Sequence, residues 1–158
     1  MSHSWKIGLF IPCYIDQFYP QVGIATLELL EKLGLNLEYP LKQTCCGQPL
    51  ANSGAEQKAV KTYLNFVKNF HVFDYVVSPS GSCVYHVRNH YDILEQTGEV
   101  KKVRQSTFEL CEFLTDILKV ENLEASFPKK VGLHESCHGL RGFKLGSSSE
   151  FIKEKNSK

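Results

Sequence analysis

Two adjacent cysteines followed by a glycine, Cys45-Cys46-Gly47, are the residues of this sequence whose types and spacing are best suited to chemistry. One turn of backbone presents two thiols side by side. Gly47 lets that turn adopt a positive φ angle that a residue with a Cβ would resist. Cys13 and Cys83 flank the pair at long and similar distances. A site made of all four thiols therefore requires a fold that brings three separate segments together.

Three apolar stretches lead to these cysteines, and each is typical of a short buried strand. Helical patterns over residues 22–33 and 55–70 separate the strands, and a third helix is expected to begin near residue 81. A helix between consecutive parallel strands returns the chain to the same edge of the sheet, so we expect the four cysteines to converge there. The predicted strands are residues 6–11, 35–41 and 74–78.

These patterns predict an α/β fold, a small parallel sheet flanked by helices. Beyond the third strand, residues 99–105 are polar and are expected to form a loop. Residues 107–118 predict an amphipathic helix with Cys111 on its inner side, where a free cysteine is more often a small packing residue than a chemical one.

The last part of the chain resembles its beginning, because residues 130–137 align with residues 6–13. We expect residues 1–125 to form one cysteine-rich domain and residues 126–158 to be the opening strand and loop of a second, incomplete one. Cys137 would then be an idle thiol, and its neighbours His134 and His138 would be ordinary polar loop residues.

Composition excludes several classes of function. The 18 basic and 17 acidic residues give a formal charge of +1, and no segment gathers enough Lys or Arg for a nucleic-acid-binding face. No apolar run approaches the ~18–20 residues of a membrane span, and the apolar run after the first residues is too short for a secretory signal. We therefore expect a cytoplasmic protein, in which clustered cysteines bind metal or carry redox chemistry more often than they form disulfides.

Four thiolates from three loops suit two kinds of site, an iron-sulfur cluster or a tetrahedral zinc ion, because soft sulfur matches both. A metal-free redox pair is a third alternative, in which Cys45 or Cys46 forms a disulfide with Cys13 or Cys83. No other enzyme motif competes, since the sequence has no glycine-rich dinucleotide or phosphate loop and no nucleophilic-serine elbow.

The order of these cysteines resembles the cysteine-rich CCG domain, with Cys45-Cys46-Gly47 at its centre and Pro79-Ser80-Gly81-Ser82-Cys83 after the third strand. That domain occurs twice in the cysteine-rich subunit of heterodisulfide reductase, in the iron-sulfur subunit of glycolate oxidase and in proteins of lactate utilisation. The resemblance is nearest to the lactate-utilisation branch. It covers residues 7–90, and a second copy would begin at residue 131.

The resemblance implies an iron-sulfur redox subunit, a component of an oxidoreductase complex. It implies thiolate ligation of a cluster, a 4Fe-4S cluster that a sample prepared in air can lose, and other subunits of an L-lactate or related 2-hydroxy-acid oxidising system as partners. The alternatives are a zinc-binding structural or assembly module and an inactive truncated product. The implied ligands are Cys13, Cys45, Cys46 and Cys83.

One position departs from the pattern of the reductase-like repeats, which end in Cys-x-x-Cys. Here the sequence is Cys83-Val84-Tyr85-His86, so a histidine stands where the last thiol would be. A side chain three residues further along a helix still faces the same site, and imidazole is an accepted ligand for iron and zinc. His86 is therefore a candidate fifth contact to the bound group.

Overall fold

The computed structural model describes residues 4–132 of the 158-residue chain. The chain divides into two units, Met1–Lys119 and Val120–Lys158. In the second unit, residues 120–132 contain neither helix nor strand, and the rest of the predicted second domain, with Cys137 and the two histidines beside it, lies outside the described residues. The boundary expected near residue 125 and the incomplete second domain stay predictions.

A four-stranded parallel sheet forms the centre of the first unit, with the spatial order β2-β1-β3-β4. Three strands were predicted, and the fourth is added at the edge beside β3. The sheet confirms the predicted fold class, a small parallel sheet flanked by helices. Its strands are β1 Ile7–Leu9, β2 Leu37–Glu38, β3 Tyr75–Ser78 and β4 Thr107–Glu109.

Helices connect the strands and include both predicted crossover helices. Pro20 begins the second helix, where its missing N–H costs nothing, and Gly34 follows its end with a positive φ angle of 81°. Within the described residues, no helix is both long and apolar enough to cross a membrane. The helices are α1 Cys13–Phe18, α2 Pro20–Lys32, α3 Gln48–Asn52, α4 Glu56–Phe70, α5 Gly81–His90, α6 Gly98–Ser106 and α7 Leu110–Glu112, with a 3₁₀ turn at Tyr91–Ile93 and a π turn at Phe113–Ile117.

The expectation for residues 99–109 was wrong, whereas residues 110–117 of the predicted helix are helical and Leu114 is buried as expected. Residues 98–106 form helix α6, in which Val100 and Val103 are buried one turn apart and the Thr97 side chain caps the first turn. The next three residues form strand β4, not the start of a helix, because Thr107 is fully buried and this segment pairs with β3. Cys111, expected to point inward, is exposed.

The second strand is also shorter than predicted, and the chain from Tyr39 to Cys46 runs without regular structure. Its backbone is held instead by side-chain amides. Asn65 on α4 donates to the Lys42 carbonyl at 3.2 Å and to the Thr44 hydroxyl at 3.0 Å. Helix α4 therefore supports the segment that delivers the chain to the two adjacent cysteines.

Aromatic rings from α4 fill the core on one face of the sheet. Phe66 and Phe70 pack edge-on against Phe10, with ring centroids 4.8 and 5.7 Å apart. Tyr63 stacks on Tyr91 at 4.3 Å, and all five rings are 0–1% exposed. Burying such rings contributes about 2–3 kcal/mol each, so this layer gives the cysteine-bearing loops a rigid base.

Candidate functional site

Each predicted ligand lies where a strand passes into a helix at the carboxyl edge of the sheet. Cys13 is the first residue of α1, after β1, and Cys83 lies in the first turn of α5, after β3. Cys45 and Cys46 directly precede Gly47, the N-cap of α3. In open parallel sheets this edge is where ligands bind, because the loops after neighbouring strands meet there.

The four thiols are near enough to shift one another's pKa in a continuous chain. Cys13 and Cys45 act on each other, and Cys46 acts on both Cys45 and Cys83. The structure thus brings together all four cysteines predicted from the sequence. All five described cysteines are free thiols, so none of these four is in a disulfide.

Burial and interactions among the thiols lower the pKa of two of them and raise the pKa of the other two. The hydrogen bond from Cys46 lowers the pKa of Cys45 to about 5, and the Gly47 amide, 3.3 Å from its sulfur, adds to this. The Cys46 bond likewise lowers the pKa of Cys83. Burial raises the pKa of Cys13 to about 11, and donation to its neighbours raises the pKa of Cys46.

Backbone and hydroxyl donors surround the sulfurs. The Tyr14 and Gln48 amides, in the first residues of α1 and α3, lower the pKa of Cys13 and Cys46 respectively. The hydroxyls of Ser80 and Ser82, beside the start of α5, act on the pKa of Cys83 in the same direction. Helix N-termini carry partial positive charge, so this edge of the sheet stabilises negative charge on sulfur.

The exposure of the thiols defines a front and a back of the site. Cys13 is exposed and Cys45 is half-buried, whereas Cys46 and Cys83 are buried. A group bound by all four would have protein behind it and one accessible side. Tyr14 lies beside that side and donates from its hydroxyl to Ser80 at 3.2 Å, which ties the Cys13 loop to the Cys83 loop.

Two buried tyrosines hold the Cys45-Cys46-Gly47 turn from the inside of the fold. The Tyr91 hydroxyl donates to the Cys46 carbonyl at 3.0 Å, and the ring of Tyr63 lies against Gly47. Gly47 has a φ angle of 89°, and an added Cβ would overlap the Tyr63 ring. Both reasons for glycine, the positive φ and the close approach, therefore hold at this position.

His86, the candidate fifth contact, is buried one helical turn beyond Cys83, and its Nε2 lies 3.0 Å from the Tyr63 hydroxyl. Its ring stacks on His90 at 4.6 Å, and His90 Nδ1 lies 3.2 Å from a Glu56 carboxylate oxygen. The imidazole is thus joined to the tyrosine that packs on Gly47. A ligand role for His86 stays a prediction.

Gln43 is a positioning residue that the sequence pattern did not single out. Its side-chain nitrogen donates to the Leu9 carbonyl at 3.1 Å, and its oxygen accepts from the Ile11 amide at 3.0 Å. The side chain thereby continues the hydrogen bonding of β1 and fixes the segment before Cys45 against the segment before Cys13. A lone glutamine in a polar stretch carries no periodic signal, so its role emerges only from the fold.

The donor set fits a thiolate-bound group better than a preformed site for one ion. Among residues 4–132, no three His, Cys, Asp or Glu side chains are arranged to hold a single metal ion as they stand. Four thiols from three loops nevertheless supply the number and type of ligand that an iron-sulfur cluster requires. Ser78, the last residue of β3 at this same edge, also has a buried hydroxyl without a hydrogen-bond partner in the described part of the chain.

Comparison with known proteins agrees with this geometry. The family model of the cysteine-rich domain named CCG matches residues 7–88, which include all four cysteines and His86. Proteins named Lactate utilization protein A are 44% identical in Geobacillus kaustophilus, 42% in Halalkalibacterium halodurans and 40% in Bacillus subtilis, each over 140 residues and 86% of this chain. The chain spans only 57–59% of the length of these relatives. No solved structure matches.

Proposed function

The chain belongs to the cysteine-rich CCG domain family, and on this premise we propose that it holds an iron-sulfur cluster and moves electrons in the oxidation of L-lactate or a related 2-hydroxy acid. The observation that carries the proposal is the convergence of Cys13, Cys45, Cys46 and Cys83 at one sheet edge. The names of the relatives support lactate as the substrate class of the whole system.

In this proposal the four thiolates hold a 4Fe-4S cluster, which supplies one-electron transfer when bound. The chain's own residues place and tune it. The Gly47 amide and the serine hydroxyls next to Cys83 direct N–H and O–H groups at sulfur, which favours negative charge there. Since hydrogen bonds to sulfur and burial are the protein's means of setting a cluster potential, these donors would tune it.

The accessible side of the site fits a role in transfer between proteins. Cys13 lies on that side, while Cys46 and Cys83 face the aromatic core. Electrons exchanged with a partner subunit would pass on the Cys13 side, where the least protein intervenes. The partners would be other subunits of the lactate-oxidising system, and the acid itself would be oxidised on one of them.

The experiment is anaerobic reconstitution of the chain with iron and sulfide, followed by metal and sulfide analysis and visible absorbance. We expect iron, labile sulfide and a broad charge-transfer band in the visible region, all lost in Cys45→Ser and in Cys46→Ser. Cys111→Ser is the matched control, because Cys111 is exposed and lies after β4. It should retain the full iron content.

Two outcomes would contradict the proposal. Stoichiometric zinc with no colour and no sulfide would favour a structural or assembly module. Iron content that is unchanged by Cys46→Ser would mean that the four-cysteine site is not the ligand set.

A further inference from the structure

A shallow, open cavity of about 650 Å³ lies on the side of the first unit away from the cysteines. Trp5 lies just before β1, and Tyr75 is the first residue of β3, so both lie at the amino ends of their strands. Cys13 and Cys83 follow the carboxyl ends of the same two strands. The cavity is therefore at the edge of the sheet opposite the thiols, and the proposed redox site does not account for it.

Aromatic rings form one wall of this cavity. Trp5 and Tyr75 meet edge-on with centroids 5.1 Å apart, and Tyr75 meets Phe108 in the same way at 5.8 Å. Ile117 adds an aliphatic side chain to the lining. Such a wall favours a flat apolar group, because aromatic rings bind other rings in stacked or edge-on arrangements.

Helix α6 forms the other wall and brings two cations to it, Lys101 and Lys102. Both lysines are exposed, so their ammonium groups can move to meet a ligand. The acidic residue in the lining, Asp74, is already engaged, since its carboxylate accepts from the Lys6 amide at 2.8 Å. The charged side chains of the lining therefore sum to a positive charge that favours an anion.

Ser106, the last residue of α6, adds an unpaired polar group to the lining. It lines the cavity and is only 8% exposed, yet its hydroxyl has no hydrogen-bond partner in residues 4–132. A buried hydroxyl left unpaired is unfavourable, and most buried polar groups have a hydrogen-bond partner. The hydroxyl oxygen itself is buried, so a ligand acceptor in the cavity reaches it only if the Ser106 side chain turns about its Cα–Cβ bond.

We propose that this cavity binds a small planar aromatic anion, with its ring against Trp5, Tyr75 and Phe108. The charged group of the ligand lies toward Lys101 and Lys102 and accepts a hydrogen bond from Ser106. The site is separate from the cysteine edge and does not depend on iron. Its failure or success is therefore distinguishable from that of the proposed redox function.

The chain carries its own reporter for this site, because Trp5 is the single tryptophan of the sequence. The probe is 4-nitrobenzoate, a flat anion whose nitro group quenches indole fluorescence, and its uncharged match is 4-nitrobenzamide. We expect saturable quenching of Trp5 by the carboxylate and about tenfold weaker binding of the amide. Added salt should weaken the binding of the carboxylate and leave that of the amide unchanged, because salt screens the exposed lysines.

Substitutions in the cavity lining test which side chains contact the probe. The double variant Lys101→Ala/Lys102→Ala should bind 4-nitrobenzoate about fivefold to tenfold more weakly, and Ser106→Ala about threefold to tenfold more weakly. The matched control is Lys58→Ala/Lys61→Ala, which removes the same charge from exposed positions on α4. It should bind as the unchanged chain does.

Three results would overturn the proposal. Quenching that rises linearly with probe concentration would show collision without a site. Equal affinity for 4-nitrobenzoate and 4-nitrobenzamide would show that the site does not recognise negative charge. Equal weakening by the two double lysine variants would mean that only the overall charge of the chain attracts the probe.

Discussion

At the scale of single residues, Gly47 combines two constraints that a pair of substitutions can separate. Gly47 and Gly54 both have positive φ angles, 89° and 77°, but a Cβ on Gly47 would meet Tyr63 whereas one on Gly54 would meet nothing within 4 Å. Tyr63 cannot move aside easily, because it is fully buried and stacked on Tyr91. The pair therefore isolates the steric part of the requirement for glycine at the cysteine turn.

We expect Gly54→Ala to lower the free energy of unfolding by about 1 kcal/mol, the cost of a left-handed backbone for a residue with a Cβ. Gly47→Ala should lower it by about 1–3 kcal/mol more, since the added methyl overpacks the core under the turn. Urea denaturation followed by circular dichroism measures both. Equal losses in the two variants would mean that the Tyr63 contact imposes no constraint.

Tyr91 tests the hydrogen bond that holds the same turn from inside. Tyr91→Phe removes the donor to the Cys46 carbonyl and leaves a buried acceptor unpaired, so we expect a loss of about 1–2 kcal/mol in unfolding free energy. Tyr19→Phe is the control, because Tyr19 is 54% exposed, and it should change stability by less than about 0.5 kcal/mol. A Tyr91→Phe chain as stable as the control would contradict the importance of this bond.

The sequence identifies the reactive residues of the site but not those that support them. Adjacent cysteines before a glycine are rare enough to be noticed, and strand-helix alternation places Cys13 and Cys83 beside them. The pattern marks Tyr91 only as one apolar position of a helix. Its hydroxyl reaches the Cys46 carbonyl across 45 positions of sequence, and no local pattern records a contact of that range.

At the scale of elements, the loops carrying the cysteines are aligned by side chains as much as by the sheet. β2 is only two residues long, so few backbone hydrogen bonds fix the position of the Cys45 loop relative to β1. The Gln43 amide replaces the missing ladder with two hydrogen bonds to the β1 segment. The predicted seven-residue strand failed here because alternating apolar residues do not ensure a partner strand, and Leu41 is in fact 91% exposed.

Gln43→Ala should release the Ile11 amide from its acceptor and speed its hydrogen exchange by about tenfold or more, since a bond worth about 1–1.5 kcal/mol is lost. Gln43→Glu keeps an acceptor for Ile11 but loses the donor to the Leu9 carbonyl, so the Ile11 amide should stay better protected than in the alanine variant. Hydrogen exchange followed by mass spectrometry on peptides that cover this loop measures the effect of both substitutions.

The control for this pair is Gln57→Ala, an exposed glutamine on α4. It should leave the exchange of residues 9–13 unchanged. If Gln43→Ala also left it unchanged, the backbone alone would fix the Cys13 loop and the two Gln43 hydrogen bonds would be dispensable.

The prediction for residues 98–109 failed for a physical reason that also lies at the scale of elements. Helix α6 buries only a narrow stripe, and its other positions are mostly polar or charged, so its periodicity is weak in the sequence. The fourth strand has only three residues and gains its identity from pairing with β3. Tertiary pairing decides such short segments, and local propensity does not.

At the scale of the whole first unit, the two edges of one small sheet carry different chemistry. The carboxyl edge gathers thiols, helix N-termini and amide donors, whereas the amino edge gathers aromatic rings and lysines. The first arrangement follows from parallel topology and was predictable from the chain order of the cysteines. The second depends on α6 and β4, the elements that the sequence pattern misassigned, so the cavity could not be predicted.

A group bound by all four cysteines would join the loops after β1, β2 and β3, so its effect should extend to the stability of the entire first unit. Because it binds the folded chain and has no preformed site in the unfolded one, we expect the loaded chain to be about 3–4 kcal/mol more stable than the stripped chain. Urea unfolding under nitrogen, before and after removal of iron by a chelator, measures the difference. Cys46→Ser should abolish it, because the thiol shared by Cys45 and Cys83 is gone, while Cys111→Ser should preserve it. Loaded and stripped chains that unfold at the same urea concentration would show that the group does not link the three loops.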